Sequence, residues 1–322
     1  MYEDFYGLKE NPFVVIPNPK FIYLGENHRE AMAHLLYGVM EKKGFIVITG
    51  EVGTGKTTLI HYLLHKLSSN NHTKTAFLFN PKLAVDDFIQ YILKDLAVKW
   101  QGRTKGDHLH ALHRYLLDAY LRNEKVILII DEAQGLHPEL LEEIRLLSNL
   151  ETSNSKLIQI VLVGQPELDK TLSQRAYRQL RQRINMRYQL LPLSEEDTKA
   201  YISKRLKIAG AQRPIFTEKA LKEIYQRSGG IPRLINILCD NTLLNGYALN
   251  RKRIDKKIVK EAARDLILQR SSPKKIRDIY SWSLIGGMIM TILLSMDLFW
   301  EVNLRPLYEK FLRGLQQVIG IF

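Results

Sequence analysis

The stretch with the most specific chemistry in this chain is Gly50–Thr57, which reads Gly-Glu-Val-Gly-Thr-Gly-Lys-Thr. It matches the P-loop pattern, whose backbone N–H groups surround phosphate oxygens at the positive end of the following helix. In this pattern the lysine, Lys56, reaches the β- and γ-phosphates and the hydroxyl of Thr57 holds Mg²⁺. We therefore predict a nucleotide site formed by Gly50, Glu51, Val52, Gly53, Thr54, Gly55, Lys56, Thr57 and Thr58.

A pair of acids, Asp131 and Glu132, follows the apolar run Val126–Ile130, 75 positions after Lys56. In a P-loop fold, an acid at the end of a neighbouring strand organises Mg²⁺ through its water shell. The adjacent glutamate can act as the general base toward the attacking water. We predict that Asp131 helps to hold the metal and that Glu132 is catalytic, so that the bound nucleotide is hydrolysed.

Gln165 stands at the end of the next apolar run, Leu157–Val163. Polar groups at strand ends commonly line ligand crevices in α/β sheets. If this strand neighbours the P-loop strand, we expect Gln165 beside the γ-phosphate. The alternative is that Gln165 is only a turn residue before Pro166.

Arginines supply a further set of candidates, because a guanidinium placed against developing phosphate charge accelerates phosphoryl transfer by orders of magnitude. Arg178, Arg181 and Arg183 follow the Gln165 strand, and a neighbouring subunit can provide such a residue. We favour Arg183 and then Arg181; the alternatives are a solvated basic helix face or a nucleic-acid patch. Arg233 begins a later helix after Gly229 and Gly230, and we expect it to point toward the nucleotide.

The elements that must position these residues follow from hydrophobic patterning. Short continuous β-branched runs alternate with helical patterns up to about residue 165, which is typical of parallel strands covered on both faces. The runs are Phe45–Thr49, Thr75–Phe79, Lys125–Ile130 and Leu157–Val163. After Pro192 the pattern becomes helical, over 195–209, 217–228, 232–250 and 255–269. We predict an α/β fold with a three-layer parallel sheet followed by a helical domain.

The predicted domain organisation has six parts. They are an N-terminal segment (1–44), a P-loop α/β core (45–190), a helical lid (191–270), a basic linker (271–281), a transmembrane helix (282–300) and a short amphipathic tail (301–322). The segment Trp282–Trp300 is close to the length that a bilayer span needs. Its basic flank at Lys274, Lys275 and Arg277 places the N-terminal side in the cytoplasm. A buried or interfacial helix is the alternative.

Composition limits the kinds of binding partner and the cellular compartment that we expect for this chain. The net charge of +13 over 322 residues suggests a polyanionic partner, whether nucleotide, nucleic acid or anionic lipid. The single cysteine, Cys239, cannot form an internal disulfide, so we expect a cytosolic globular part. The N-terminus lacks the basic and apolar regions of a signal peptide.

Several blocks beyond the P-loop together resemble the AAA+ ATPases, and within them the ExeA-like (general secretion pathway protein A) ATPases with their MSHA-pilus and exopolysaccharide-locus relatives. The resemblance runs from about Met1 to Gln269. Its blocks are Phe5–Leu8 with Asn11–Phe13, His28–Ala31, Gly50–Thr57, Asp131–Gln134, Arg145–Glu151, Ile160–Leu168 and Ser228–Asn236.

The resemblance implies an ATPase of the AAA+ type that uses ATP and Mg²⁺ and forms a homo-oligomeric ring. By motif position, Gln165 takes the sensor-1 role, Arg233 the sensor-2 role, and Arg183 or Arg181 the role of an arginine finger acting in trans. Proteins of the ExeA type are anchored in the bacterial inner membrane by one helix, with a cytoplasmic ATPase, and act with an inner-membrane partner in assembling the secretin. Many carry a peptidoglycan-binding domain beyond that helix. Only about 22 residues follow Trp300 here, so we do not expect peptidoglycan binding.

The expected function is therefore that of a membrane-anchored ATPase which drives a bacterial secretion, pilus or exopolysaccharide export machine. The alternative is a nucleic-acid-dependent ATPase of the transposition-helper type, suggested by the net charge and by the arginines of 170–187. We do not expect nucleic-acid binding. The basic cluster at 251–277 is explained as a positive-inside flank, and no recognition helix stands out.

Overall fold

Five short strands form one parallel sheet at the centre of the computed structural model, which describes residues 1–16, 18–68, 72–79, 83–266 and 310. The strands are β1 Phe45–Gly50, β2 Thr73–Leu78, β3 Lys125–Ile130, β4 Gln159–Gly164 and β5 Ile184–Leu190. Their order across the sheet is β2-β3-β4-β1-β5, and every neighbouring pair is parallel. All strands therefore end at the same side of the sheet, called here the carboxyl edge, and start at the opposite amino edge.

Apolar side chains cover the sheet on both faces, which confirms the predicted α/β fold with a parallel sheet. The helices are α1 Glu3–Tyr6, α2 Glu26–Met40, α3 Lys56–Ser68, α4 Val85–Asp95, α5 Lys105–Leu121, α6 Pro138–Leu147, α7 Pro166–Ser173, α8 Arg178–Arg183, α9 Glu195–Ile208, α10 Glu218–Ser228, α11 Pro232–Ala248 and α12 over 256–266. On one face of the sheet Phe45 and Leu128 pack with α4, α5 and α6, and on the other Ile46 and Ile48 pack with α2 and α3.

The fifth strand was not predicted from the sequence. Strand β5 lies at the sheet edge and pairs only with β1, so it alternates between half-buried and exposed residues instead of forming a continuous apolar run. Ile184, Met186 and Tyr188 share one face, and the intervening polar residues share the other. This period-two alternation is the usual signal of a half-buried strand, and it was available in the sequence.

The helices after the sheet start and end where their capping residues stand. The Ser194 hydroxyl accepts a hydrogen bond from the Asp197 amide at the start of α9, and Thr217 caps α10 in the same way. Gly229 ends α10 in a left-handed conformation, and Pro232 occupies the first turn of α11. These helices and the sheet belong to one compact unit, Met1–Ala262.

The N-terminal residues are anchored on these helices. The Tyr2 hydroxyl donates a hydrogen bond to Asp240 of α11, and the Asn11 side chain donates to the same carboxylate at 3.0 Å. Two nitrogens of Arg205, on α9, donate to the carbonyls of Pro12 and Val14. Residues 1–24, called here the N-terminal strap, thus run across α11 and α9 toward the carboxyl edge.

The predicted basic linker (271–281), transmembrane helix (282–300) and amphipathic tail (301–322) lie outside the described residues, apart from Lys310. Within the described ranges, none of the helices combines the length and the apolar character that crossing a bilayer requires.

Candidate nucleotide site

The P-loop connects β1 to α3 at the carboxyl edge, and two of its glycines have backbone conformations that disfavour a side chain. Gly53 has φ of 83° and Gly55 has φ of 100°. A Cβ atom at Gly53 would lie 2.7 Å from the Cβ of Arg233, and one at Gly55 would lie 3.2 Å from Nε2 of His28. The loop is therefore closely approached by α11 on one side and by α2 on the other.

Lys56 is folded back onto the loop. Its Nζ atom donates hydrogen bonds to the carbonyls of Gly50 at 2.7 Å and Glu51 at 2.9 Å. Burial lowers the pKa of Lys56, while the nearby carboxylates of Glu132, Asp131 and Glu51 act in the opposite direction. The amides that begin α3 have no intrahelical partners, so the loop offers N–H donors and a cation to an anion.

Thr57 and Asp131 are brought together by the fold. The Thr57 hydroxyl donates a hydrogen bond of 2.7 Å to Oδ2 of Asp131, although the two residues are far apart in sequence. Asp131 is buried at the end of β3. Magnesium prefers oxygen ligands and commonly takes one or two protein oxygens together with substrate phosphates and water, so this hydroxyl and carboxylate fit Mg²⁺.

Glu132 and Gln165 also meet at the carboxyl edge. Strand β4 lies between β3 and β1, which satisfies the condition for placing Gln165 beside the P-loop. Nε2 of Gln165 is 3.3 Å from Oε2 of Glu132. Both side chains line the same cavity as the P-loop.

The cavity has a volume of about 450 Å³, and helices of the second part of the chain complete it. Arg233 at the start of α11 donates its backbone N–H to the Gly53 carbonyl at 3.2 Å. The structure therefore places Arg233 at the wall of the cavity.

Several wall residues were not predicted. The N-terminal strap contributes Val14, Val15 and Ile16, and α9 contributes Tyr201 and Arg205. An apolar and aromatic wall of this kind suits a nucleobase. One signal was present in the sequence: Arg205 interrupts the apolar stripe of α9, where a buried arginine needs specific partners. The strap itself was predicted only as part of the N-terminal segment 1–44, with no contribution to the site.

Arg181 and Arg183 are not brought to this cavity within the chain. They lie at the end of α8, immediately before β5, and therefore at the amino edge. Arg183 donates to the Ser148 hydroxyl at 3.3 Å, and Arg181 donates to the Ser173 carbonyl at 3.2 Å. The length of a six- or seven-residue strand, about 20 Å, separates this edge from the P-loop.

The fold and the site together define a P-loop NTPase of the AAA+ class, and residues 39–172 match the AAA domain family. The chain is related to General secretion pathway protein A of Aeromonas hydrophila, with 46% identity over 258 residues. This match covers 79% of the chain and confirms the resemblance drawn from the sequence blocks. The chain spans about half, 46%, of that relative's length.

Solved structures support the fold alone. The Cdc6p protein of Pyrobaculum aerophilum superposes with a TM-score of 0.60 at 18% identity, over 76% of this chain and 70% of that one. The ORC2 protein of Aeropyrum pernix, in its ADPNP–ADP complexes, gives a TM-score of 0.54 at 17% identity, over 77% and 72% of the two chains.

Proposed function

We propose that this chain binds ATP with Mg²⁺ and hydrolyses it to drive a bacterial secretion, pilus or exopolysaccharide export machine. The ATPase part of this proposal rests on one observation. The expected catalytic and metal-binding residues meet at one cavity at the carboxyl edge: Lys56, the Thr57–Asp131 pair, Glu132 and Gln165. The relation to General secretion pathway protein A supports the export half.

Each residue of the site has a proposed role in ATP binding or hydrolysis that follows from its position. Backbone amides of Gly53–Thr58 bind the phosphates, and Lys56 exchanges its loop carbonyls for phosphate oxygens. Thr57 and Asp131 would hold Mg²⁺, which neutralises charge on the phosphates when bound. Glu132 accepts a proton from the attacking water. Gln165 and Arg233 line the cavity where the γ-phosphate would be sensed.

The arginine finger is proposed to act between subunits. Arg183, or Arg181, lies at the amino edge of its own chain and so would complete the site of a neighbouring copy in a homo-oligomeric ring. The membrane anchor is proposed to be 282–300, with the ATPase in the cytoplasm and an inner-membrane protein as partner.

The test of the catalytic assignment compares two variants of the full chain. Lys56→Ala removes the phosphate-binding cation, and we expect it to abolish turnover and weaken ATP binding. Glu132→Gln should retain ATP binding but lower the turnover number by about 100-fold or more. Lys66→Ala on the exposed side of α3 and Glu139→Gln on the exposed side of α6 are matched controls. Unchanged turnover in either site variant contradicts the assignment.

The membrane half has a separate test. A topology reporter fused after Phe322 should report the periplasm if 282–300 spans the inner membrane. A cytoplasmic signal would remove the anchor from the proposal and leave the ATPase assignment standing.

A nucleic-acid-dependent ATPase remains the second candidate because Arg175, Arg178 and Arg181 are exposed on α8 and on the turn before it. Phosphate binding by such a patch would be strongly salt-dependent. If DNA neither binds at moderate salt nor stimulates ATP turnover, this candidate is excluded.

A further inference from the structure

Gln134, to which the sequence motifs assign no role, connects the ends of two neighbouring strands through its side-chain amide. Its Oε1 atom accepts a hydrogen bond of 3.0 Å from the backbone N–H of Gln165, at the end of β4. Its Nε2 atom donates a hydrogen bond of 2.5 Å to Oε2 of Glu132, at the end of β3. The amide is half-buried in the short helical turn Ala133–Gly135.

The orientation of this amide follows from chemistry. A backbone N–H can only donate, so the group facing Gln165 must be the amide oxygen. A carboxylate can only accept, so the group facing Glu132 must be the NH₂. The Gln165 N–H and the Glu132 carboxylate therefore each require the same orientation of the Gln134 amide. The amide is therefore held at both ends, and it cannot flip without losing both hydrogen bonds.

Gly164 makes room for this arrangement. A Cβ atom at Gly164 would lie 2.9 Å from Oε1 of Gln134, closer than side chains normally approach. The same Cβ atom would lie 2.9 Å from Cδ2 of Leu168, so a side chain at Gly164 would crowd both residues. Gly164 thus leaves space both for the Gln134 amide and for the buried Leu168.

The same contacts distinguish the two oxygens of Glu132. Oε2 accepts from Nε2 of Gln134 and, at 3.3 Å, from Nε2 of Gln165. Within the residues that the structure describes, Oε1 has no hydrogen-bond partner, and the side chain lines the cavity. Glu132 also adopts a left-handed backbone with φ of 53°, an uncommon conformation for a residue with a side chain. The backbone turn and the side-chain amides of Gln134 and Gln165 together set the direction of the Glu132 side chain.

We infer that Gln134 is a positioning residue for ATP hydrolysis, which holds Oε2 of Glu132 so that Oε1 is left to accept the proton of the attacking water. Gln134 also forms a hydrogen bond with the backbone of Gln165. It therefore fixes the position of the general base, Glu132, relative to Gln165, the residue expected at the γ-phosphate. This inference rests on the proposed ATPase function, and it assigns to Gln134 no contact with the nucleotide itself.

The test measures kcat, KM and nucleotide affinity of the full chain. In Gln134→Glu the new carboxylate can still accept from Gln165 but repels Glu132, and in Gln134→Leu both hydrogen bonds are lost. We expect kcat to fall by about 100-fold in each, since a displacement of about 1 Å at a reacting group has effects of this size. The affinity for ATP should change less than about threefold. Gln101→Leu, in an exposed loop, is the matched control.

Two further variants separate positioning from damage to the fold. Gly164→Ala keeps the Gln134 side chain but crowds its oxygen and, equally, Leu168, so it should lower kcat in the same way, and its urea midpoint shows how much the fold is destabilised. In a Glu132→Gln background, Gln134→Leu should cause less than a tenfold additional loss, because the part of its effect that passes through Glu132 is already absent. A further tenfold loss in that background, or wild-type kcat in the single variants, overturns the inference while the ATPase function stands. No turnover by the wild-type chain overturns both.

Discussion

The imidazole of His28 shows how a single side chain joins two elements at the site. Nε2 of His28 lies 2.9 Å from the Thr54 carbonyl, and because a carbonyl only accepts, this nitrogen must carry the proton. His28 is buried, and its Nδ1 has no hydrogen-bond partner in the described part of the chain. Burial lowers the pKa of His28, so the neutral form is the one that supports the P-loop.

This burial predicts a pH dependence of stability. In the unfolded chain His28 titrates near its ordinary pKa of about 6.5. The folded pKa is lower, so the unfolded state binds more protons below that pH. The stabilisation by neutral His28 is therefore complete above about pH 6.5 and is lost progressively as the pH falls toward the folded pKa. Urea midpoints measured between pH 8 and pH 5.5 should fall accordingly.

His28→Gln should remove this contribution, because glutamine does not titrate in that range and its NH₂ can still donate to Thr54. His34→Gln is the matched control, since His34 lies on the same helix but is exposed. Wild-type and His28→Gln chains with the same slope of midpoint against pH would contradict the assignment.

The residues that the sequence identified share a property that His28 lacks. Lys56, Thr57, Asp131 and Glu132 act from positions fixed by local motifs, because a P-loop and an acid at a strand end are encoded in short stretches. The contact of His28 with Thr54, and those of Arg205 with the strap, depend on how distant elements pack. A single sequence does not report such packing, so these contacts were found only in the structure.

The N-terminal strap is the element whose role the sequence indicated least. Its far end is fixed by Asp240 of α11, which accepts from Tyr2 and Asn11, and its near end forms a wall of the nucleotide cavity at Val14. Burial and the hydrogen bond to Asp240 raise the pKa of Tyr2 well above its ordinary range, so the hydroxyl remains protonated and able to donate.

Asp240→Ala should loosen the strap at its far end. The substitution leaves the Tyr2 hydroxyl buried without its acceptor, and we expect a loss of about 1–3 kcal/mol in the free energy of unfolding. ATP affinity should also weaken, because the strap lines the cavity. Denaturant titration and nucleotide titration measure the two effects. Glu218→Ala, at an exposed carboxylate that begins α10, is the control. Wild-type ATP affinity in Asp240→Ala would show that the strap is not coupled to the site.

The sequence predicted the inner strands but not strand β5, and the reason is their different burial. The inner strands β1, β3 and β4 are buried on both faces and so give continuous apolar runs. Edge strand β5 carries Arg187 and other polar residues, and the arginines just before it were interpreted as a candidate arginine finger, with a basic helix face or a nucleic-acid patch as the alternatives. Its alternating pattern was the better guide.

Over the whole molecule, the separation of Arg183 from the P-loop would give the proposed oligomer a chemical role. The two lie at opposite edges of the sheet, so one chain does not bring both to one phosphate. If Arg183 acts in trans, a mixture of inactive Arg183→Ala and inactive Lys56→Ala chains should regain part of the wild-type ATPase activity. In mixed assemblies some sites combine an intact P-loop with an intact arginine.

The mixing experiment is read against each variant alone at the same total concentration. Arg175→Ala replaces an exposed arginine of the same surface and should keep its own activity. A mixture no more active than the sum of its two components would place the finger elsewhere.

Hydrogen bonds around the nucleotide cavity connect the P-loop, α11, the N-terminal strap and α9 in a continuous series. The P-loop carbonyl of Gly53 meets the start of α11, the middle of α11 holds the strap through Asp240, and the strap returns through Arg205 to the cavity wall. If the strap and the cavity are coupled, thermodynamic reciprocity requires that a ligand which tightens the cavity also tightens the strap. A probe or a tag on residues 2–16 would then report nucleotide occupancy and, in the same measure, change the nucleotide affinity that it reports.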